Sequence, residues 1–152
     1  MGTLKLIDHP EGGRYHEVFR SDATVRTENG PSRSALTHIY FSLDAGERSR
    51  FHRVAGDEVW NLYEGVGIRL YLWDGSAIRP TCVVLSAEER CFCHIVPGGT
   101  WQAAEPLEGT VLVGCSVAPG FEFSDFELMD PESDLARRLA AVASDLRPLV
   151  GP

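Results

Sequence analysis

Over the first 120 positions apolar residues come in short runs that alternate with polar ones and are cut by glycine and proline. That pattern predicts many short strands joined by turns, as in a sandwich or barrel. Residues 36–43 form one such strand, whose parity separates His38, Tyr40 and Ser42 from Ile39, Phe41 and Leu43. Residues 57–63 form another, with Glu58, Trp60 and Leu62 on one face, and Gly65 and Gly67 break it. Residues 68–73 alternate Ile68, Leu70 and Leu72 against Arg69, Tyr71 and Trp73, and Asp74-Gly75 then makes a tight turn. Residues 81–85 and 91–96 are further strands. Residues 110–118 are apolar on both faces, as a central strand is, and close on Pro119-Gly120.

The C-terminus changes period. Capping residues and a proline at 130–134 precede Leu135, Leu139, Val142 and Leu146 at helical spacing. This predicts one amphipathic helix over about 132–147, ended by Pro148. No internal repeat or linker interrupts the chain, so the expectation is one domain, with a barrel over 1–130 and the helix of 131–152 packed on it.

Composition narrows the partners. The 152 residues carry 14 Lys and Arg against 22 Asp and Glu, a net charge of −8. No basic stripe appears, which argues against nucleic acid and anionic membranes. No apolar run is long enough for a membrane span. The first residues lack the apolar stretch of a secretory leader, so the expected place is the cytoplasm. The four cysteines are then expected as reduced thiols. Cys91-Phe92-Cys93-His94 invites a zinc reading, but alternation sets His94 on the opposite face from the two thiols, and buried small hydrophobes are the simpler reading.

One run carries the most chemistry: Gly46-x5-His52-x-Val54-x3-Glu58-x6-Gly65. It resembles the first motif of the cupin superfamily, in which a second histidine stands where Val54 is. The second cupin motif is matched by Cys91-x5-Pro97-Gly98-Gly99-Thr100-Trp101-Gln102, with Gln102 at the histidine position. Four further stretches narrow the match: His9-Pro10-Glu11-Gly12-Gly13-Arg14-Tyr15 through Arg20-Ser21, Thr37 to Phe41, Phe51 to Trp60, and Ala118 to Leu128. Together they resemble the small cupin-like family catalogued as a domain of unknown function. The resemblance implies an all-β double-stranded β-helix, a jelly-roll barrel, here with one C-terminal α-helix. It also implies dimerisation and a likeness to sugar-nucleotide epimerase cupins.

The resemblance puts His52 and Glu58 in the barrel mouth as candidate catalytic residues. Glu58 is expected beside the imidazole, raising its pKa and fixing its tautomer, so that His52 serves as general base. Tyr40 is the candidate acid opposite His52. Gln102, Trp60 and Trp101 are candidate ligand-binding residues. Glu11, Tyr15 and Arg20, with Glu17, form a polar N-terminal group that closes the pocket or reaches a partner subunit. No metal or other cofactor is expected, because Val54 cannot ligate and Gln102 offers only an amide, while protein metal sites usually take three or four good ligands.

The leading expectation is a metal-independent enzyme that binds a small polar metabolite, of sugar or nucleotide type, and moves a proton in epimerisation, isomerisation or dehydration. A non-catalytic binding protein is the alternative, and a metal-dependent cupin enzyme comes third. The expected assembly is a homodimer, which residues 9–21 would build by lending an edge strand. Light scattering at micromolar concentration should return twice the chain mass of 16.7 kDa; the single-chain mass defeats the expectation.

Overall fold

In the computed structural model, which describes residues 4–151, thirteen strands precede one helix. The strands are β1 (Ile7–Asp8), β2 (Arg14–Arg20), β3 (Thr24–Arg26), β4 (Ser32–Ser34), β5 (Thr37–Leu43), β6 (Ser49–Val54) and β7 (Asp57–Glu64). They continue as β8 (Gly67–Trp73), β9 (Thr81–Ser86), β10 (Cys93–Val96), β11 (Trp101–Pro106), β12 (Val111–Ala118) and β13 (Phe126–Leu128). A six-stranded sheet runs β1-β2-β5-β12-β7-β10 and a five-stranded sheet runs β13-β6-β11-β8-β9. All pairings are antiparallel. Two such sheets face to face are the all-β jelly roll expected from the sequence.

Strand parity divides the apolar residues into two cores. From the six-stranded sheet, Phe41, Leu43, Trp60, Val111, Val113 and Cys115 point inward. They meet Ile68, Leu70, Leu85 and Ala104 of the other sheet. The second core lies on the outer face of the five-stranded sheet. There Phe51, Tyr71, Trp73, Trp101 and Ala103 pack under Ala136, Leu139, Leu146, Leu149 and Val150. That sheet is covered on both sides, so buried residues fall on both faces of β6, β8 and β11.

The C-terminal segment is a shorter helix than its periodicity predicts. Helix α1 spans Asp134–Val142, capped by the Ser133 hydroxyl accepting from the Ala136 amide. Ala143 leaves helical geometry at φ −153°, and residues Ser144–Leu149 form a 3-10 turn containing Pro148. The break lets Leu146, Leu149 and Val150 fold back onto the sheet with Leu139.

Within residues 9–21, expected to lend an edge strand to a neighbour, β2 pairs in its own sheet, with β1 on one side and β5 on the other. A bulge between Glu17 and Phe19 keeps both Glu17 and Arg20 on the inner face. Cys93 is exposed and Cys91 only partly buried, so the expectation of buried small hydrophobes fails at both, while Cys115 is buried. No helix among the described residues is long and apolar enough to cross a membrane.

Leu139 is fully buried in the outer core. Leu139→Ala should lower the unfolding free energy by about 2–5 kcal/mol, the usual cost of such a cavity. Urea titration checks it. A loss below about 0.5 kcal/mol would mean that the helix is not part of the cooperative unit.

Candidate functional site

A cavity of about 80 Å³ enters between the two sheets at one end. His9 and Glu11 reach it from the β1–β2 turn, Tyr15, Glu17 and Arg20 from β2, His52 and Val54 from β6 and Glu58 from β7. Phe121, Glu122, Phe123 and Phe126 close the side that follows β12.

The β1–β2 turn explains the double glycine. Gly12 and Gly13 have φ of +114° and +68°, and a Cβ on Gly12 would stand 2.0 Å from the Arg48 carbonyl oxygen. Only glycine adopts this path without strain. The path holds the Glu11 backbone against β6, where the Arg50 amide donates to the Glu11 carbonyl at 2.8 Å, and Glu11 is buried with its side chain in the cavity.

There Glu11 becomes the hydrogen-bonding centre. Its Oε1 accepts from the Ser49 hydroxyl at 2.7 Å. Its Oε2 stands 3.1 Å from His52 Nε2 and 3.5 Å from His9 Nδ1. His52 Nδ1 lies 2.7 Å from the Arg50 carbonyl, which can only accept, so Nδ1 carries the proton. The contact at Nε2 then needs one proton shared with Glu11. Burial pushes the Glu11 carboxyl up and the His52 imidazole down. Both shifts favour the neutral pair, with the proton on Glu11. His9 is also lowered, chiefly by burial.

Glu58 has other partners. Gln102 Nε2 donates to Glu58 Oε2 at 2.7 Å, and Trp60 Nε1 donates to Gln102 Oε1 at 2.8 Å. The Cys115 thiol also lines the cavity and is raised well above its ordinary value, chiefly by burial. Burial pushes Glu58 up to about 7, against the opposing pull of His52. A carboxyl poised near neutrality can take or give a proton.

Several expected roles change. Glu58 does not orient His52: the Arg50 carbonyl and Glu11 do that, and burial outweighs any carboxylate in setting the imidazole low. Tyr40 cannot act opposite His52. Its parity in β5 turns it to the outer face, where its ring stands 5.8 Å from Tyr63 and 6.3 Å from His38. Trp101 is excluded for the same reason: it alternates with Gln102 in β11 and packs under the C-terminal segment. Gln102 and Trp60 stand behind the cavity wall rather than on it.

Glu11, Tyr15 and Arg20 do line the cavity. Arg20 is fully engaged, with Nε and Nη2 donating to Glu17 at 3.0 and 2.9 Å and Nη1 donating to Glu122 at 3.0 Å. Most of the other lining residues lie outside the set expected from the sequence, among them His9, Phe121, Phe123 and Phe126. The His9 ring lies within 6.5 Å of the centroids of all three phenylalanines, and Phe126 stacks on His52 at 5.5 Å.

A family model described as cupin superfamily (DUF985) matches residues 1–129. The chain belongs to that family. It is 34% identical to protein SO0799 from Shewanella oneidensis, with a TM-score of 0.78 over 97% of this cupin and 91% of the other chain. A hypothetical protein from Leishmania major superposes at a TM-score of 0.74 with 29% identity, over 95% and 90% of the two chains. The uncharacterized protein YML079W of Saccharomyces cerevisiae is 27% identical over 148 residues, 86% of this chain and 74% of the yeast one.

The metal centre implied by the cupin motifs does not fit these residues. Val54 has no donor, the Gln102 amide is spent on Glu58 and Trp60, and His52 Nε2 faces Glu11. Among the described residues no three His, Cys, Asp or Glu side chains are grouped to hold a metal ion.

The raised Glu58 predicts a pH signature. A carboxyl raised in the folded state contributes stability that is complete below its ordinary value of 4.5 and is lost as pH rises through about 7. Glu58→Gln keeps the acceptor for Gln102 and removes the titration. Between pH 4.5 and 8 the variant should therefore gain roughly 3 kcal/mol on the wild type, since each tenfold change in proton affinity on folding is worth about 1.4 kcal/mol. Denaturant melts across this range measure the difference. A constant difference would show that Glu58 titrates at its ordinary value.

Proposed function

We propose that this cupin is a metal-independent enzyme that moves a proton on a small molecule held in the cavity. The observation that carries the reading is the arrangement of two proton-transfer groups around one apolar pocket. Glu58, poised near 7, faces the pocket as base, and the Glu11–His52 pair stands beside it with one shared proton as acid. A base poised near neutrality with a proton donor beside it, both shielded from water, is what abstraction and return of a carbon-bound proton require.

In this scheme Glu58 takes the proton from an acidic C–H and becomes neutral. Electron density moves to the adjacent carbonyl or equivalent acceptor, which takes the proton of the Glu11–His52 pair. Return of a proton to carbon completes an isomerisation or epimerisation, and departure of a β-hydroxyl as water completes a dehydration. Gln102 holds Glu58 in place through its amide hydrogen bond, and Ser49 holds Glu11. His52 thus acts with Glu11 rather than as a lone base.

The test is a metabolite screen by proton NMR in D2O. The substrate is expected to lose one carbon-bound proton signal in the presence of the wild type, faster as pH rises through about 7. Glu58→Gln should slow the exchange by roughly two to four orders of magnitude, the usual cost of a lost acid or base. Glu11→Gln and His52→Ala should slow it comparably. A molecule that binds the pocket tightly and shows no exchange with any of these proteins would make the cupin a binding protein.

A further inference from the structure

The charges that line the cavity are unevenly matched. Four carboxyl side chains, Glu11, Glu17, Glu58 and Glu122, face it with a single guanidinium, Arg20. Arg20 is already shared between Glu17 and Glu122, and its Nη2 also donates to the Phe121 carbonyl at 3.0 Å. No other Lys or Arg among the described residues lines the cavity. The nearby Arg50 is turned to backbone, with Nη2 donating to the Pro10 carbonyl at 2.6 Å. A phosphate or carboxylate entering here would find no free cation and two acidic rims.

The walls between mouth and floor are aromatic. Tyr15, Phe41, Phe121, Phe123 and Phe126 all line the space. Aromatic faces attract cations, most strongly where water is excluded. Glu58 is buried, and its hydrogen-bond donor among the described residues is neutral, the Gln102 amide. A positive centre placed beside it would supply the missing countercharge.

We infer that the cavity takes a small organic cation, an amine or quaternary ammonium with a compact apolar body, and excludes phosphorylated and carboxylated molecules. This rests on the reading of the cavity as the working site and narrows its substrate. It sets aside the sugar-nucleotide expectation, because a diphosphate meets only carboxylates. The cation would sit between the phenylalanine faces with its charge towards Glu58, and the carboxyl would release its proton as the ligand enters.

Three probes of one shape test this: benzylamine, benzyl alcohol and benzoate, titrated by calorimetry at pH 8 and pH 6. Benzylamine should bind at least about tenfold more tightly than benzyl alcohol at pH 8, the scale of a desolvated cation–aromatic contact. Benzoate should bind most weakly. Two buffers of different ionisation heat should reveal a fraction of a proton released with benzylamine and none with benzyl alcohol. The preference for benzylamine should shrink at pH 6, where Glu58 is mostly protonated.

Glu58→Gln should remove the proton release and most of the tenfold preference while leaving benzyl alcohol binding unchanged. Glu122→Gln, at the exposed rim, keeps the floor intact and frees one guanidinium nitrogen, so it should strengthen benzoate. Benzoate binding the wild type as tightly as benzylamine overturns the inference and leaves the proton-transfer reading standing. Failure of all three probes to bind at millimolar concentration overturns it as well. Proton exchange on an anionic metabolite, slowed by Glu58→Gln, would uphold the enzyme and sink the cation.

Discussion

A single buried amide ties the two sheets together beneath the cavity. Gln102 belongs to β11 of the five-stranded sheet, and both partners of its side chain, Glu58 and Trp60, belong to β7 of the six-stranded sheet. An amide has a donor end and an acceptor end, and here each end is used once: the nitrogen gives to the carboxyl and the oxygen takes from the indole. Reversing the amide would set its oxygen against the carboxylate and its NH2 against the indole N–H, two unfavourable contacts in a dry core. The polarity of the chain is therefore fixed, and with it the position of Glu58. A histidine at this position could not hold the same arrangement without fixing its own tautomer and charge. The replacement that removes a metal ligand from the cupin pattern thus serves another structural purpose.

The barrel is legible in the sequence because its signals are local. Period-two alternation, the Asp74-Gly75 turn and the glycine and proline breaks mark six strands close to their observed places. Of the strands left unmarked, β1, β3, β4 and β13 have only two or three residues each, and in the other three alternation is hidden. β6 and β11 are covered on both faces, and β2 carries a bulge that shifts its parity after Glu17. Periodicity overextends the helix for a related reason. Leu146 continues the helical spacing of Leu139, but Ala143 breaks the backbone, and Leu146 reaches the same core from a 3-10 turn. Spacing reports which residues are buried together and does not report the path of the backbone between them.

The site is legible in its motif and not in its partners. His52 and Glu58 belong to one run of sequence, and both line the cavity. Their proton partners lie outside that run. Glu11 lies 38 positions before Ser49, the residue that donates to it, and it reaches His52 only because two glycines permit the turn that follows it. The phenylalanines at 121, 123 and 126 sit beyond the last long strand, in a stretch the sequence marks only by its resemblance to the family and not by a pattern that places it at a cavity. Tyr40 is a different case, because its placement is readable from the sequence. Alternation puts it on the face opposite Phe41, and Phe41 lines the cavity, so a role for Tyr40 against His52 contradicts the same alternation that predicts the strand.

Four titratable groups are buried in one apolar space, and their protonation explains how the fold tolerates them. Charged, the two carboxyls would repel each other and the two imidazoles would lack water; neutral, the group as a whole is nearly free of Coulombic cost. The shifts all run towards neutrality: Glu11 and Glu58 up, His9 and His52 down. The raised carboxyls keep their protons to higher pH than ordinary carboxylates do, and the lowered imidazoles keep open acceptor nitrogens to lower pH than exposed ones do. The cavity therefore stores both proton donors and proton acceptors at the same pH. That state is tolerated because the two cores on either side of the five-stranded sheet supply the stability, and because every buried polar side-chain atom of the cluster has a hydrogen-bond partner. Any molecule that enters with a charge must change this balance, so the protonation of the cluster and the charge of its ligand form one coupled equilibrium.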